Sequence, residues 1–475
     1  MTNRDEGLDA LRGFAILTMV LSGSIAHGDL LPSWMFHAQV PPPLYKFDPS
    51  IAGITWVDLV FPFFLFSMGA AIPLSLRKYI NKGENFLFIL TMAIKRFLLL
   101  AFFALFSQHM KAWVISDTPQ TSDHLLSIAA FGLLFFQFYD AKHQRNQKLF
   151  LVLRLISIIV SVYLLWQLDF WGGKGFDFYK SDIIIMVLAN MALFGTIIYY
   201  LTFEKPIWRL SILPFIMAVF LAAKEPELGW AKTLYEFNHV GDFKFDWLYQ
   251  FYFLKYLFII IPGTICGEWL LANMLKSENS TSEDKIQISS QSEIVLSFIA
   301  VILIIGNLYG LFERALFLNF LFSVVLCLTS YYLIKKEPKE NIYSKLIQSG
   351  SYLLLLGLFF EAYEGGIRKD HSTYSYYFVS SGLAFYTIIC FSVWAKHRYV
   401  KSFINYLALN GKNPMVAYVV GSLLVMPMMG ISHTKPYWDA MNQNIFMGLM
   451  KGIIFTGLVS LITIFFVKKR WFWKG

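Results

Sequence analysis

The sequence predicts an all-α, polytopic transmembrane helix bundle of about fourteen spans, within a range of ten to fourteen, with both termini in the cytoplasm. Three observations carry this. Apolar residues make up 57% of the 475 positions and charged residues only 15%, against roughly 25% charged in an ordinary globular protein. The apolar residues gather into runs of about twenty, the length that crosses a ~30 Å hydrocarbon core at 1.5 Å per residue. Lys and Arg, in turn, collect between alternate runs, as cytoplasmic loops require. This composition excludes a disordered chain, a secreted disulfide scaffold and a soluble nucleic-acid binder, so the formal charge of +9 is read by position.

Within the first run, at 13 to 31, the stretch Gly13 to Ala26 ends in Ser24-Ile25-Ala26 like a signal-peptide cleavage site, but Asp5, Glu6 and Asp9 make the preceding segment too acidic for one. It is expected to remain as a helix. The second run, at 58 to 75, begins on Asp58, and the third, at 97 to 114, is fenced by Lys95-Arg96. Runs at 124 to 139, 149 to 167, 182 to 202 and a short one at 208 to 223 complete the first half. After a run at 250 to 272, the polar stretch 277–292 (SENSTSEDKIQISSQS) reads as a flexible cytoplasmic linker inside a single domain of residues 1–475. The tight Glu313-Arg314 hairpin joins runs at 293 to 311 and 315 to 334. The last four lie at 348 to 363, 375 to 395, 413 to 431 and 445 to 467. An even number of spans places both ends on one side, and 25 of the 40 Lys and Arg then fall on the inner loops and termini.

Chemistry must come from a few polar residues at membrane depth. Cys266, Cys327 and Cys390 lie in apolar runs without CxxC spacing, so neither a metal centre nor a disulfide is expected. No Walker sequence, GxGxxG turn or HExxH helix occurs. In the first outer loop His37 precedes Pro41-Pro42-Pro43, which should hold the following chain extended. Asp58 meets the membrane just before an unbroken apolar face. A carboxylate there is costly unless paired or hydrated; it also suits a first-turn acid of the helix. Pro62 should kink or break the second helix and free carbonyls toward the bundle interior. His27, His433, Glu268 and Glu361 are further candidates, whereas Lys255 and Lys451 can snorkel to the interface. Lys369-Asp370-His371 on the outer side and Asn410-Gly411-Lys412-Asn413-Pro414 on the inner side put polar turns at both faces.

Leu8-Asp9-Ala10-Leu11-Arg12-Gly13-Phe14, followed by Asp58-Leu59-Val60-Phe61-Pro62-Phe63-Phe64-Leu65-Phe66 with Met68-Gly69, resembles the heparan-alpha-glucosaminide N-acetyltransferase family and its bacterial transmembrane acyltransferase relatives. Lys95-Arg96-Phe97 is similar to that family's basic start of the third core helix, Asn413-Pro414 to its late Asn-Pro motif, and Lys369 with Ser375-Tyr376 to its last outer loop. The resemblance implies an enzyme of the bacterial inner membrane. Acetyl-CoA, as cosubstrate and without a metal, would give its acetyl group to the amine of a glucosamine-type sugar on the far side. It implies His37 as the catalytic histidine, reached by allowing an insertion that contains the three prolines; aligned without a gap from Gly53, that position is Asp48. Asp58 would orient the imidazole. Lys369, Ser375, Tyr376 and Asn413 would bind substrate, and Arg77, Lys78, Lys95 and Arg96 would hold the phosphates of CoA. The expected partners are acetyl-CoA, an amino sugar or glycan and the bilayer, with no nucleic acid; a homodimer is compatible with this. The alternatives are O-acetylation of envelope glycans and a secondary transporter, for which no inverted repeat is visible.

Overall fold

The computed structural model describes residues 5–28, 30–141, 146–223, 229–279, 289–337 and 341–474. In chain order its main helices are α1 (Glu6–Ser22), α2 (Trp56–Ile80), α3 (Phe86–His109), α4 (Thr121–Phe138), α5 (Gln147–Gln167), α6 (Ile183–Leu201) and α7 (Leu257–Asn279). Then come α8 (Ser290–Phe312), α9 (Leu316–Lys335), α10 (Ile342–Tyr363), α11 (Tyr374–Trp394), α12 (Arg398–Gly411), α13 (Pro414–Ile431) and α14 (Ile445–Lys468). Strand structure among the described residues amounts to one hairpin, β1 (His239–Val240) with β2 (Phe243–Lys244). Twelve helices among the described residues are long and apolar enough to cross a membrane. The chain is therefore an all-α polytopic membrane protein.

The twelve coincide with twelve of the fourteen expected spans; the other two fall short. The first is the 17-residue α1, which starts seven residues earlier than expected because Asp5 caps it by accepting from the Leu8 amide at 2.8 Å. The seventh is split into Pro206–Leu210 and Ile212–Ala222. The loop before the thirteenth span contains an unexpected helix, α12. Of the stretch read as a linker, residues 277–279 continue α7 and 290–292 begin α8; residues 280–288 lie outside the described residues. The chain divides into two compact units of interleaved segments: Met1–Glu84 with Tyr256–Gly411, and Asn85–Lys255 with Lys412–Gly475.

In the first unit α11 is central, with every residue from Tyr374 to Phe391 buried, as expected of a helix apolar all round. Small residues let backbones approach closely around it. A Cβ on Gly267 would sit 2.2 Å from the Ala70 carbonyl, and one on Gly263 2.5 Å from the Phe66 carbonyl, so α2 and α7 touch backbone to backbone. The same device joins α1 to α12: Cβ atoms on Gly13 and Gly411 would lie 1.8 Å from the Leu407 carbonyl and 1.9 Å from the Asp9 carbonyl. Arg12 fastens this seam by donating to the carbonyls of Gly411 (3.4 Å) and Ser67 (3.3 Å) while pairing with Asp9 (3.4 Å). Gly411 ends α12, where carbonyls lack intrahelical partners and a cation is favoured.

In the second unit α3 packs on α6 through Phe97, Leu100, Ala189 and Ala192. Asn413 accepts from the Trp473 amide (3.1 Å) and donates to the Trp471 carbonyl (2.8 Å). The C-terminal tail also pairs with the end of α4, the Asp140 amide donating to the Phe472 carbonyl at 2.9 Å and the Lys474 amide to the Phe138 carbonyl at 2.8 Å.

Candidate active site

The first unit brings together residues more than three hundred positions apart at the start of α2. Thr55 and Asp58 form a capping box, which satisfies amide groups that a helix start leaves without partners. Asp58 Oδ2 accepts from the Thr55 amide (2.9 Å) and the Ala38 amide (3.2 Å), while the nearby Thr55 hydroxyl donates its proton to the Phe36 carbonyl at 2.6 Å. The other oxygen, Oδ1, is left for His37, whose Nδ1 lies 2.7 Å away. Since Asp58 is 2% exposed and His37 36%, the pair has a buried orienting carboxylate and an imidazole that reaches outward.

Pro62 explains a second contact. Having no N–H, it cannot bond the carbonyl four residues back, and that carbonyl belongs to Asp58. The buried Tyr376 hydroxyl donates to it at 2.8 Å, fixing the start of α2 against α11. The same substitution of side chain for backbone recurs in α7, where Ser381 donates to the Phe258 carbonyl (3.3 Å) four residues before Pro262.

The loop before α11 folds onto this site. Gly53, at φ +131°, donates to the Ile367 carbonyl at 2.8 Å, and Gly366, at φ +128°, lies so close to Ala52 that its Cβ would be 2.3 Å away. Both positions need glycine, for conformation and for space. Gln39, buried, clasps the backbone of Asp370 with both ends of its amide, at 2.8 and 3.1 Å. Lys369 is thereby held with its ammonium 3.3 Å from Nδ1 and 3.4 Å from Nε2 of His37. Underneath, the left-handed Arg314 pairs with the buried Glu361 of α10, which accounts for one intramembrane acid.

The chemical consequence follows from the hydrogen bonds. Asp58 Oδ1 is an acceptor, so it selects the tautomer that carries the proton on Nδ1 and leaves a lone pair on Nε2. A base formed this way can remove a proton from an amine or hydroxyl, or can itself attack a carbonyl.

The sequence reading thus meets geometry unevenly. His37, Asp58 and Lys369 converge. Ser375 instead donates to Thr373 at 2.8 Å, and its amide, like that of Tyr374, is capped by Glu364 at 2.8 Å; it fastens the start of α11. Tyr376 is occupied by the Asp58 carbonyl, and Asn413 by the tail of the second unit. Arg77 and Lys78 lie in the last turn of α2. Lys95 and Arg96 do not start their helix: Asn85 caps α3 ten residues earlier by accepting from the Phe88 amide at 2.9 Å. The pair resembles a boundary without being one, because long cations are tolerated inside a span when they reach along the helix to water. The three prolines turn the chain instead of extending it, Tyr45 donating to the Pro41 carbonyl at 3.1 Å.

Asp48, the ungapped alternative to His37, is exposed and bonded to the hydroxyl (2.6 Å) and amide (2.9 Å) of Ser50, which hold its carboxyl below the ordinary value. His27 packs between Phe36 and Tyr45 and bonds the Ile25 carbonyl. His433 is a left-handed loop residue of the second unit. Lys255 lies over Phe220 and Tyr252, and Lys451 donates to Asn442. Thr55, Gln39 and Glu364 escaped the sequence reading; the Thr55-Asp58 spacing was the one legible signal, as a capping box. No cluster of three or more metal-ligating side chains occurs among the described residues.

No curated protein matches the chain. Residues 4–270 match the model of a family described as a domain of unknown function (DUF5009), a stretch that holds His37, Asp58 and the whole of α1 to α6. Because that match takes in more than half of the 475 residues, the chain belongs to the DUF5009 family.

Proposed function

We propose that the protein is a transmembrane acyltransferase of the bacterial inner membrane that moves an acetyl group from cytoplasmic acetyl-CoA to a glucosamine-type amine at the periplasmic face. The single observation that carries this is the 2.7 Å contact between His37 Nδ1 and a buried Asp58 held by two backbone amides. In this reading the free-base amine attacks the thioester carbonyl. A C–N bond forms, the C–S bond breaks, Nε2 takes the amine proton and delivers it to the departing CoA thiolate. Lys369 supplies positive charge where the carbonyl oxygen becomes an oxyanion. With α1 and the split seventh segment counted as crossings, charge on the loops supports cytoplasmic termini and an outer His37, and Arg77 and Lys78 are the CoA phosphate ligands of the first unit. Nineteen residues of α2 separate Asp58 from Arg77, about 28 Å at 1.5 Å per residue, so the pantetheine arm must thread most of the span.

Lys369 also favours a second reading, O-acetylation. An ammonium beside His37 repels a protonated amine but not a sugar hydroxyl. Purified protein supplied with acetyl-CoA and either glucosamine or N-acetylglucosamine separates the two. N-transfer acetylates glucosamine alone, O-transfer acetylates both, and no product from either defeats the acyltransferase reading.

A further inference from the structure

A groove of about 420 Å³ runs along the last two turns of α4 in the second unit, lined by Phe131, Phe135, Tyr139, Phe150, Phe466 and Trp471. Its volume falls within the range of small-ligand sites, roughly 300–1,000 Å³, and its walls are almost wholly aromatic. Gly132 opens it: a Cβ there would meet nothing within 4 Å.

Basic residues adjoin one end in the chain. α14 stops at Lys468, and Arg470, left-handed at φ 60°, reverses the chain so that the Trp471 amide donates to the Phe466 carbonyl at 2.8 Å. This fold-back lays Trp471 into the groove, and the exposed Lys468, Lys469 and Arg470 lead directly into it along the chain. Arg154, one turn beyond Phe150 on the same face of α5, reaches back to donate to the Tyr139 carbonyl at 2.7 Å, while its buried Nε has no protein partner among the described residues. From Tyr139 to Phe131 the groove follows eight residues of α4, about 12 Å, away from these charges and into the span.

We propose that this groove is a binding site for an anionic phospholipid, with one acyl chain lying from Tyr139 toward Phe131 and the phosphate held at the mouth by Lys469 and Arg470. The apolar channel leading away from a cationic rim matches the two halves of such a lipid, and basic clusters at helix ends are where anionic headgroups bind. The site shares no residue with the His37 region and does not depend on the acyltransferase reading.

Native mass spectrometry of the full-length protein released from nanodiscs of equal phosphatidylglycerol and phosphatidylcholine tests this. The wild type should retain phosphatidylglycerol at least fivefold over phosphatidylcholine. Gly132→Leu, whose Cβ meets nothing within 4 Å and whose longer side chain occupies the groove, should abolish retention, and Lys469→Gln with Arg470→Gln should bring the ratio down to that of the bilayer. The proposal is overturned if the wild type retains both lipids equally, or if either variant keeps the wild-type preference. It is also overturned if Gly132→Leu changes the oligomeric mass and leaves lipid occupancy intact, which would make the groove a seat for a second copy.

Discussion

Replacing Asp58 by Asn changes one atom at the centre of the proposed mechanism, and the structure dictates which way the new amide must face. Oδ2 receives two backbone donors, the Thr55 amide and the Ala38 amide. An NH₂ at that position would set donor against donor, at about 1–3 kcal/mol for each buried group left unsatisfied. The amide oxygen therefore takes the Oδ2 place and the NH₂ meets His37 Nδ1. Facing a donor, Nδ1 becomes the acceptor and the ring proton moves to Nε2, removing the lone pair that should accept the substrate's proton. Loss of a correctly poised general base costs roughly 10²- to 10⁴-fold in rate, or about 3–5 kcal/mol of barrier. The expected result in proteoliposomes is a fall in kcat of that size with little change in KM for acetyl-CoA and little change in Tm. Nitrogen-15 shifts of the histidine ring should report the exchanged tautomer independently of activity. An Asp58→Asn variant that turns over within threefold of wild type, or keeps the Nδ1–H tautomer, refutes the reasoning.

Other consequences are more local. Tyr376→Phe should strand the Asp58 carbonyl that Pro62 leaves free and lower stability by about 1–3 kcal/mol, measured as a reduced unfolding midpoint. Gly411→Ala places a Cβ 1.9 Å from the Asp9 carbonyl, a backbone clash; overpacking costs about 1–3 kcal/mol or more, and the variant should lose yield and monodispersity in detergent. Gln39→Ala removes both bonds to the Asp370 backbone, so the loop carrying Lys369 should become sensitive to added protease, with lower kcat at unchanged acetyl-CoA affinity. Replacing Arg77 and Lys78 together by Ala should raise KM for acetyl-CoA about tenfold or more while leaving the tautomer of His37 as it is.

The parts of this molecule that could be read in the sequence are those set by local physics. Twelve long apolar helices follow from run length alone, because hydrocarbon thickness is a fixed ruler. Asp58 announced itself as an acid at membrane depth, and Thr55 at the right spacing made it a cap as well as a candidate catalytic partner. Where the expectation failed, one local signal was given too much weight. Lys95-Arg96 looked like a helix boundary, yet Phe86 to Leu90 already satisfied the apolar pattern and Asn85 the cap. α12 was missed because fourteen residues with charges on one face cannot cross a membrane, although Ile404, Leu407 and Ala408 bury the other. Gln39 could not be found at all. Its importance lies in the loop of Asp370, 331 residues away, and nothing in the local pattern says which backbone a buried amide will grip. The two interleaved units are invisible for the same reason, since both are made of segments far apart in the chain.

The central claim is that His37 handles the reacting proton. Labelled acetyl-CoA and a sugar acceptor, followed to acetylated product in proteoliposomes with wild-type and His37→Ala protein of equal Tm and insertion, tests it most directly. The account predicts product from the wild type and at least a hundredfold loss in the variant; transfer at the wild-type rate without His37 would contradict it.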